Sequence, residues 1–205
     1  MPAWIDALNS AAATESFAQA REFAHTLWAT FASDHEFRAF ARAVRLWQTD
    51  FTACADIRRC ANALVRRERG SREALCLLTA IAAAPPEAPM LYRGLAEPFP
   101  YWEVLARYMP GSTVDISVAS FTSEYLRALE FAWLAQEANG GTEVVFLLRQ
   151  GANAVRIDLL APDDIHWRER EWLTGGRLIV DSAAYLHEEE RVEVELTQEG
   201  YFNAS

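Results

Sequence analysis

Two patterns of apolar residues, separated by a proline-rich break, constrain the fold of this chain more than any other feature. Before Pro85 and Pro86, apolar residues recur at three- and four-residue steps, the spacing of one face of an α-helix. After Pro89, short apolar runs alternate with turn residues, as they do in β-strands. The length of 205 residues fits one domain, or a domain with a helical extension. We therefore expect an α+β protein with a helical region over residues 1–88 and a second domain over residues 89–205.

The first region is predicted to contain four helices. The apolar periodicity indicates helices over residues 17–31 and 37–47, and a third helix that begins at Phe51 and stops near Gly70. Ser71 is expected to begin the fourth helix, because a serine hydroxyl can accept hydrogen bonds from first-turn backbone N–H groups. This helix should end at Ala84, since two prolines follow.

The second region is predicted to form strands, interrupted by a helix near Ser123–Glu137 and a shorter one near Tyr101–Tyr108. Because helices do not alternate regularly with the strands, the sheet should be mainly antiparallel. The candidate strands are Met90–Leu95, Thr113–Ala119, Thr142–Leu148, Ala154–Leu159, Arg177–Asp181 and Arg191–Leu196.

The two regions differ in charge. Residues 1–88 contain equal numbers of acidic and basic residues, so the net charge of −10 lies in residues 89–205. An acidic domain repels phosphate backbones, which disfavours general electrostatic binding of nucleic acid. All 19 basic residues are arginines, which excludes Schiff-base and phosphate-loop chemistry that requires lysine. The arginine-rich run Arg58–Arg72 would suit an acidic partner or an RNA, but a solvated helix face is the simpler explanation.

The sequence has no pattern typical of a metal site, a membrane span or a secreted protein. Its three cysteines lack metal-ligand spacing, and their odd number argues against a disulfide framework. No segment reaches the ~18–20 apolar residues of a membrane span, and the N-terminus does not resemble a signal peptide. We therefore expect a cytoplasmic protein, or one delivered into a target cell, without a bound metal and without membrane association.

Two polar segments in the second region are candidates for a ligand site. Arg93 and Gly94 interrupt an apolar strand. A guanidinium can grip phosphate or carboxylate with two hydrogen bonds, and a glycine lets a ligand approach the backbone closely. Ser120, Thr122 and Ser123 lie between a strand and a helix, where hydroxyls can orient a carboxylate or ribose. An internal ion pair of Arg93 and capping of the helix by Thr122 and Ser123 are the alternative explanations.

Glu169 and Glu171 form a third polar segment, ahead of a predicted glycine-containing turn and a strand. If the segment is extended, the two side chains point the same way. Neighbouring carboxylates of this kind can stabilise a cation or remove a proton. The charged face of an edge strand would explain them as well.

In this order, Arg93, Ser120 and the pair Glu169 and Glu171 resemble the arginine–serine–glutamate class of mono-ADP-ribosyltransferases. This family includes the cholera-like and clostridial toxins and related bacterial and phage enzymes. The resemblance covers about residues 88–200 and implies a split β-sandwich of mainly antiparallel strands. The second motif departs from the family, because it reads serine-phenylalanine-threonine where serine-threonine-serine is usual. Ser120 is taken as the motif serine from its distance to Ala128, and Ser123 is the alternative.

The resemblance implies an NAD-dependent glycosyltransferase that transfers ADP-ribose, a pentosyl group, to a macromolecule. Arg93 would bind the NAD phosphates or the adjoining ribose, and the Gly94 backbone would meet the nicotinamide amide. Ser120 and Thr122 would complete the cofactor-binding set. No metal is implied.

The catalytic roles implied by the resemblance fall to Glu171, Glu169 and Ser120. Glu171 would stabilise the ribose cation, and Ser120 would orient the Glu171 side chain. Glu169 would position or deprotonate the acceptor. Protein arginine is the favoured acceptor, with RNA or DNA second. Trp167 and His166 lie in the loop that the family uses to select its target, although plain packing explains Trp167 equally well.

The expected setting is a bacterial or phage toxin or effector, with a possible cognate antitoxin, immunity or chaperone protein as partner. Two other functions remain open at this point. An NAD glycohydrolase would use the same site with water as the acceptor. A non-catalytic, antitoxin-like binding protein would use the acidic half, including Glu188–Glu190, to neutralise a basic partner.

Overall fold

The N-terminal part of the protein is helical, as the apolar periodicity predicts. The computed structural model describes residues 1–11, 14 and 16–200. The helices described before residue 88 are α1 (Ala3–Ser10), α2 (Phe17–Phe31), α3 (His35–Thr49), α4 (Phe51–Val65) and α5 (Arg72–Ala83). Helix α1 was not predicted, and α4 ends at Val65 and not near Gly70. The hydroxyl of Ser71 accepts a hydrogen bond from the backbone N–H of Ala74 at 3.1 Å, so the predicted start of α5 is confirmed.

The C-terminal part consists of strands with a few helices between them. Its elements in chain order are β1 (Leu91–Glu97), α6 (Tyr101–Arg107), β2 (Thr113–Thr122), α7 (Tyr125–Asn139), β3 (Thr142–Leu148), β4 (Ala154–Arg156), a 3-10 helix (Asp158–Leu160), α8 (Asp164–Arg168), β5 (Glu171–Leu186) and β6 (Arg191–Gly200). None of the helices in the described part of the chain is long and apolar enough to cross a bilayer.

The strands form one sheet that closes on itself. Their order is β2-β1-β3-β6-β5-β4, and β5 also pairs with β2. The pair β3–β6 is parallel, and the other described pairs are antiparallel. Closure is possible because β5 is 16 residues long: its first half pairs with β2 and β4, and its second half with β6. The α+β class with mainly antiparallel strands is therefore confirmed.

The helices pack directly on this sheet. One hydrophobic cluster joins residues of α1, α3 and α5 to the sheet residues Val118, Val155 and Leu173. A second cluster lies between the two halves of the sheet, around Phe146 and Trp172. The shared first cluster holds the C-terminal end of α3 beside β2 and β5. The division at residue 88 into two domains remains a prediction.

Two predicted strands have different limits in the structure. The strand expected at Arg177–Asp181 begins at Glu171, because the chain continues through Gly175 and Gly176 where a turn was expected. A side chain at Gly175 would place its Cβ 2.5 Å from the carbonyl oxygen of Ser117, so glycine permits the close approach of β2 and β5.

The strand expected at Ala154–Leu159 ends at Arg156 instead. The buried carboxylate of Asp158 accepts a hydrogen bond from the Arg156 guanidinium at 2.6 Å, and the chain turns into the 3-10 helix there. β4 therefore ends at a local charge pair, which cannot be predicted from the alternation of apolar residues in a strand.

Candidate active site

A cavity of about 290 Å³ lies where β1, β2 and the start of β5 meet. All six residues predicted for the site line it. The lining residues are Arg58, Tyr92, Arg93, Gly94, Ser120, Phe121, Thr122, Phe131, Glu169 and Glu171. The three polar segments, far apart in the sequence, thus converge on one cavity.

Arg93 is held at the cavity by a backbone contact. Its NH1 group donates to the carbonyl oxygen of Ser120 at 2.7 Å. Burial and the neighbouring Arg58 lower the pKa of Arg93 to about 10, so the guanidinium is still cationic at neutral pH. Within the described ranges of the chain, no carboxylate forms an ion pair with Arg93, and a partly buried cation of this kind is suited to an anionic ligand.

Gly94 has a second role besides lining the cavity. A Cβ at this position would lie 1.8 Å from the carbonyl oxygen of Ala128 and 2.5 Å from the backbone nitrogen of Ala132. Glycine therefore allows α7 to pack directly against β1. The interpretation of Gly94 as a point of close ligand approach did not include this constraint.

Ser120 and Glu171 are in direct contact across β2 and β5. The Ser120 hydroxyl donates a hydrogen bond to Oε1 of Glu171, whose side chain is buried. Ser123 does not line the cavity; its backbone N–H donates to the carbonyl oxygen of Arg170. The serine that reaches the glutamate is therefore Ser120.

Thr122 reaches the cavity but uses its hydroxyl locally. Its Oγ1 accepts a hydrogen bond from the backbone N–H of Glu124 at 3.1 Å. The residue at the N-terminus of α7 is Glu124, and it makes no side-chain capping bond. The alternative in which Ser123 caps this helix is wrong, because α7 begins later than predicted.

The segment between Glu169 and Glu171 is a turn and not an extended strand. Arg170 adopts a positive φ of 49°, so the two glutamates are not successive residues on one strand face. The turn is anchored by Arg170, which donates to the carbonyl oxygen of Thr14 at 2.9 Å and lies 4.2 Å from the centre of the Trp167 ring. Both glutamates nevertheless reach the cavity, because the turn lies at its edge.

The environment of Glu169 differs from that of a solvated carboxylate. Burial raises the pKa of Glu169, and the negative charge of Glu171 raises it further. A carboxylate with a raised pKa is a stronger base than an ordinary glutamate. Glu169 is therefore equipped to accept a proton from a bound group.

Three residues of the helical region reach the site, although no sequence motif indicated them. The Nε1 group of Trp47 donates to Oγ of Ser120 at 2.9 Å and to Oε1 of Glu171 at 3.1 Å. The Nε2 group of Gln48 donates to Oε2 of Glu171 at 3.0 Å. Arg58 lies 5.1 Å from the centre of the Trp47 ring and lines the cavity. Trp47 appeared in the sequence as one more apolar residue of a helix face, and Arg58 as one residue of the basic run.

A second groove of about 240 Å³ lies beside the cavity, between α7 and α8. It shares Phe131 and Glu169 with the cavity. Ile165 is 72% exposed at its rim. Trp167 is buried instead, and its Nε1 group donates to Thr14 at 2.9 Å, so packing is the correct interpretation of that residue.

His166, the other residue considered for target selection, is partly buried next to Asp163. Burial lowers the pKa of His166, but the hydrogen bond to Asp163, the negative charges of Asp163 and Glu169 and a hydrogen bond to the Gln48 backbone together outweigh it, and the net effect is a raised pKa. His166 does not line either the cavity or the groove. Among residues 1–11, 14 and 16–200, no group of three or more His, Cys, Asp or Glu side chains is placed to hold a metal ion.

Two cationic and two anionic side chains therefore line the same cavity. Arg58 and Arg93 can bind phosphate groups through charged hydrogen bonds. Glu171 can stabilise a positive charge that develops on a bound sugar. Glu169, between the cavity and the groove, can serve a second reactant.

The fold is that of the ADP-ribosyltransferases, as the resemblance of the three motifs predicts. No protein-family model matches the sequence, and no curated protein is similar to it. Solved structures are similar in fold at low sequence identity.

Among them, the C3 exoenzyme of Clostridium limosum has a TM-score of 0.58 and 11% identity, covering 91% of this chain and 97% of that one. C3stau2 from S. aureus, solved with NAD, has a TM-score of 0.53 and 14% identity, covering 91% and 98%. The type III effector XopAI from Xanthomonas axonopodis pv. citri has a TM-score of 0.55 and 16% identity, covering 95% and 80%.

Proposed function

We propose that this protein is a mono-ADP-ribosyltransferase that cleaves NAD and transfers ADP-ribose to arginine side chains of a protein. The observation that carries this proposal is the convergence of Arg93, Ser120 and Glu171 on one cavity, with Ser120 bonded to both of its partners. The fold it shares with the Clostridium limosum exoenzyme and C3stau2 supports the same function.

The charges and the space at the site suit NAD as the substrate. A further cavity of about 210 Å³ adjoins the first and shares Arg58 and Arg93 with it. Together, the two cavities reach the range of ~300–1,000 Å³ that is usual for small-molecule sites. The shared arginines lie in the middle of this space, where the diphosphate of a dinucleotide would be.

Cleavage of NAD would proceed by loss of nicotinamide from C1′ of the ribose. The bond between C1′ and the nicotinamide nitrogen breaks, and its electrons leave with neutral nicotinamide. The ribose becomes oxocarbenium-like and gains positive charge. The Glu171 carboxylate would stabilise this charge electrostatically and through a hydrogen bond to a ribose hydroxyl. Ser120 holds the carboxylate in place.

Transfer would then take place at the edge between the cavity and the groove. A guanidinium in the groove between α7 and α8 would lose a proton to Glu169 and attack C1′. A new bond between nitrogen and C1′ replaces the one to nicotinamide. The groove favours transfer over simple hydrolysis, since water as acceptor requires no second binding space.

The test is incubation of the purified protein with NAD labelled in its ADP-ribose part and a cell lysate. We expect label in macromolecules that protease removes and nuclease does not, and label on polyarginine but not on polylysine. Removal by nuclease would assign the acceptor to nucleic acid. Free ADP-ribose alone would indicate an NAD glycohydrolase, and a failure to bind or consume NAD would refute both enzymes.

We further propose that the protein acts as a toxin or effector. The neighbours of the same fold include Plx2a, an ADP-ribosyltransferase toxin from Paenibacillus larvae, and the effector XopAI. Induced expression of the wild type should arrest growth of a sensitive cell, and the Glu171→Gln variant should not. Equal toxicity of the two would contradict this role. A cognate antitoxin, immunity or chaperone partner would be tested by its ability to restore growth.

A further inference from the structure

We propose that Trp47 and Gln48, at the C-terminal end of α3, are positioning residues that fix the carboxylate of Glu171 for reaction. The helical region would then be part of the active site. This inference rests on the proposed function, because it assigns a role in the chemistry of the same glutamate.

Trp47 joins the two catalytic side chains into one hydrogen-bonded unit. Its indole N–H is shared between Oγ of Ser120 at 2.9 Å and Oε1 of Glu171 at 3.1 Å, while Ser120 donates to the same Oε1. The ring is 5% exposed and belongs to the core cluster of α1, α3 and α5. The donor is therefore held by the rigid core rather than by a loop.

Gln48 holds the other oxygen of the carboxylate. Its Nε2 group donates to Oε2 of Glu171 at 3.0 Å. The amide oxygen, Oε1 of Gln48, is buried without a hydrogen-bond partner among the described residues. The opposite amide orientation would place this oxygen against the carboxylate, so the contact with Glu171 explains why Gln48 leaves a buried oxygen unsatisfied.

The hydrogen bonds from the part of the chain that the structure describes leave Glu171 with one free acceptor position. A carboxylate offers about four acceptor positions, two on each oxygen. On Oε1 both are taken, by Ser120 and Trp47; on Oε2 one is taken, by Gln48. The remaining position on Oε2 is the one available to a ribose hydroxyl. The three donors thus prevent rotation of the carboxylate and direct it at a single substrate group.

The test compares NAD cleavage by the full-length wild type with that of Trp47→Phe and Gln48→Met, which remove one donor each; the first keeps an aromatic ring and the second a similar volume. We expect kcat to fall about 10- to 100-fold in each, as for other groups that orient a catalytic residue. The KM for NAD should change less than about threefold, because neither side chain lines the cavity. Trp28→Phe, on the partly exposed side of α2, is the matched control and should keep wild-type kcat.

A variant that adds a charge tests the positioning role through the pH profile of kcat, which would not change if Gln48 had only a structural role. Gln48→Glu places a second carboxylate against Glu171, which makes ionisation of the pair harder. The acid limb of the kcat profile should therefore move to higher pH. The other titratable groups around Glu171 and Gln48 are Arg93 of β1, Cys54 and Arg58 of α4, Glu169 of the turn, and His166 of α8, which is hydrogen-bonded to the backbone of Gln48; all are unchanged in this variant. Thr49→Glu adds the same charge to an exposed neighbour as a control.

The outcomes separate this inference from the proposed function. If the wild type cleaves NAD and both donor variants keep its kcat, or if Gln48→Glu keeps the wild-type pH profile, the positioning role is overturned. If the wild type does not cleave NAD, the proposed function fails. Crystal structures of the variants then test whether Trp47 and Gln48 position Glu171. An unchanged Glu171 conformer in both Trp47→Phe and Gln48→Met would show that neither residue positions it.

Discussion

Ser120 and Glu171, which are 51 positions apart in the chain, meet across β2 and β5, and the serine hydroxyl donates to the glutamate carboxylate. The contact exists because Ser120 pairs with Leu173 in the antiparallel ladder, two residues beyond Glu171. The same backbone register brings Thr122 opposite Glu171. Strand register, and not a local motif, therefore brings this serine and this glutamate together.

The two glutamates should have separable roles. In the proposed mechanism, Glu171→Gln removes the charge that would stabilise the ribose cation, so both NAD hydrolysis and transfer should fall by about 10²- to 10³-fold. Glu169→Gln removes the proposed base for the acceptor, so hydrolysis should remain while transfer is lost. Parallel assays of nicotinamide release and labelled acceptor measure the two reactions. Wild-type transfer by Glu171→Gln would contradict the assignment.

Arg93 should contribute to NAD binding. Arg93→Ala removes a charged hydrogen-bonding group worth about 1.5–3 kcal/mol, so the Kd for NAD should rise roughly 10- to 150-fold in calorimetry. Arg93→Lys should restore binding in part, since lysine keeps the charge but lacks the two-pronged geometry. Arg59→Ala, at an exposed arginine paired with Asp56, is the control and should bind NAD as the wild type does. Unchanged affinity in Arg93→Ala would remove this residue from the site.

Transfer should be lost at a higher pH than hydrolysis as the solution is acidified. Burial and Glu171 raise the pKa of Glu169, and the base must be ionised to accept a proton. Its contribution is therefore present above the raised pKa and disappears as pH falls through it. Rates of transfer and of hydrolysis, measured between about pH 4 and 8, would show whether the acid limb of transfer lies at higher pH than that of hydrolysis. Coincident acid limbs for the two reactions would argue against Glu169 as the base.

Gly94 should be required for the packing of α7 on β1. In Gly94→Ala the new Cβ would meet the Ala128 carbonyl at 1.8 Å, so the helix must shift. We expect a loss of about 1–3 kcal/mol in the free energy of unfolding, or roughly 2–4 °C in Tm for each kcal/mol. Gly200→Ala, where a Cβ would have no neighbour within 4 Å among residues 1–11, 14 and 16–200, should leave Tm nearly unchanged. Equal Tm values for the two variants would refute the packing argument.

Much of the architecture could be predicted because its signals are local. Periodicity indicated the long helices, and Ser71 caps α5 as its position before an apolar run suggests. Predictions failed where a contact distant in sequence decided the local structure. Gly175 and Gly176 suggest a turn, but they allow β2 to approach, and β5 runs through them.

The site was predicted only in the part that carries family motifs. Arg93, Ser120, Glu169 and Glu171 could be selected by residue type and order, and the structure brings all four to one cavity. Trp47 could not be selected, because the same spacing that marks a core aromatic also holds for one that donates a hydrogen bond to the site.

By itself, the sequence determined the elements, the break between helices and strands, and the types of group available for chemistry, since these depend on neighbours a few residues apart. Tertiary structure alone decided which groups meet. Trp47 and Glu171 are separated by 124 positions, and their contact depends on how the α3 core packs against two paired strands. Such packing is a property of the whole molecule, because many weak contacts together set the position of each donor and acceptor.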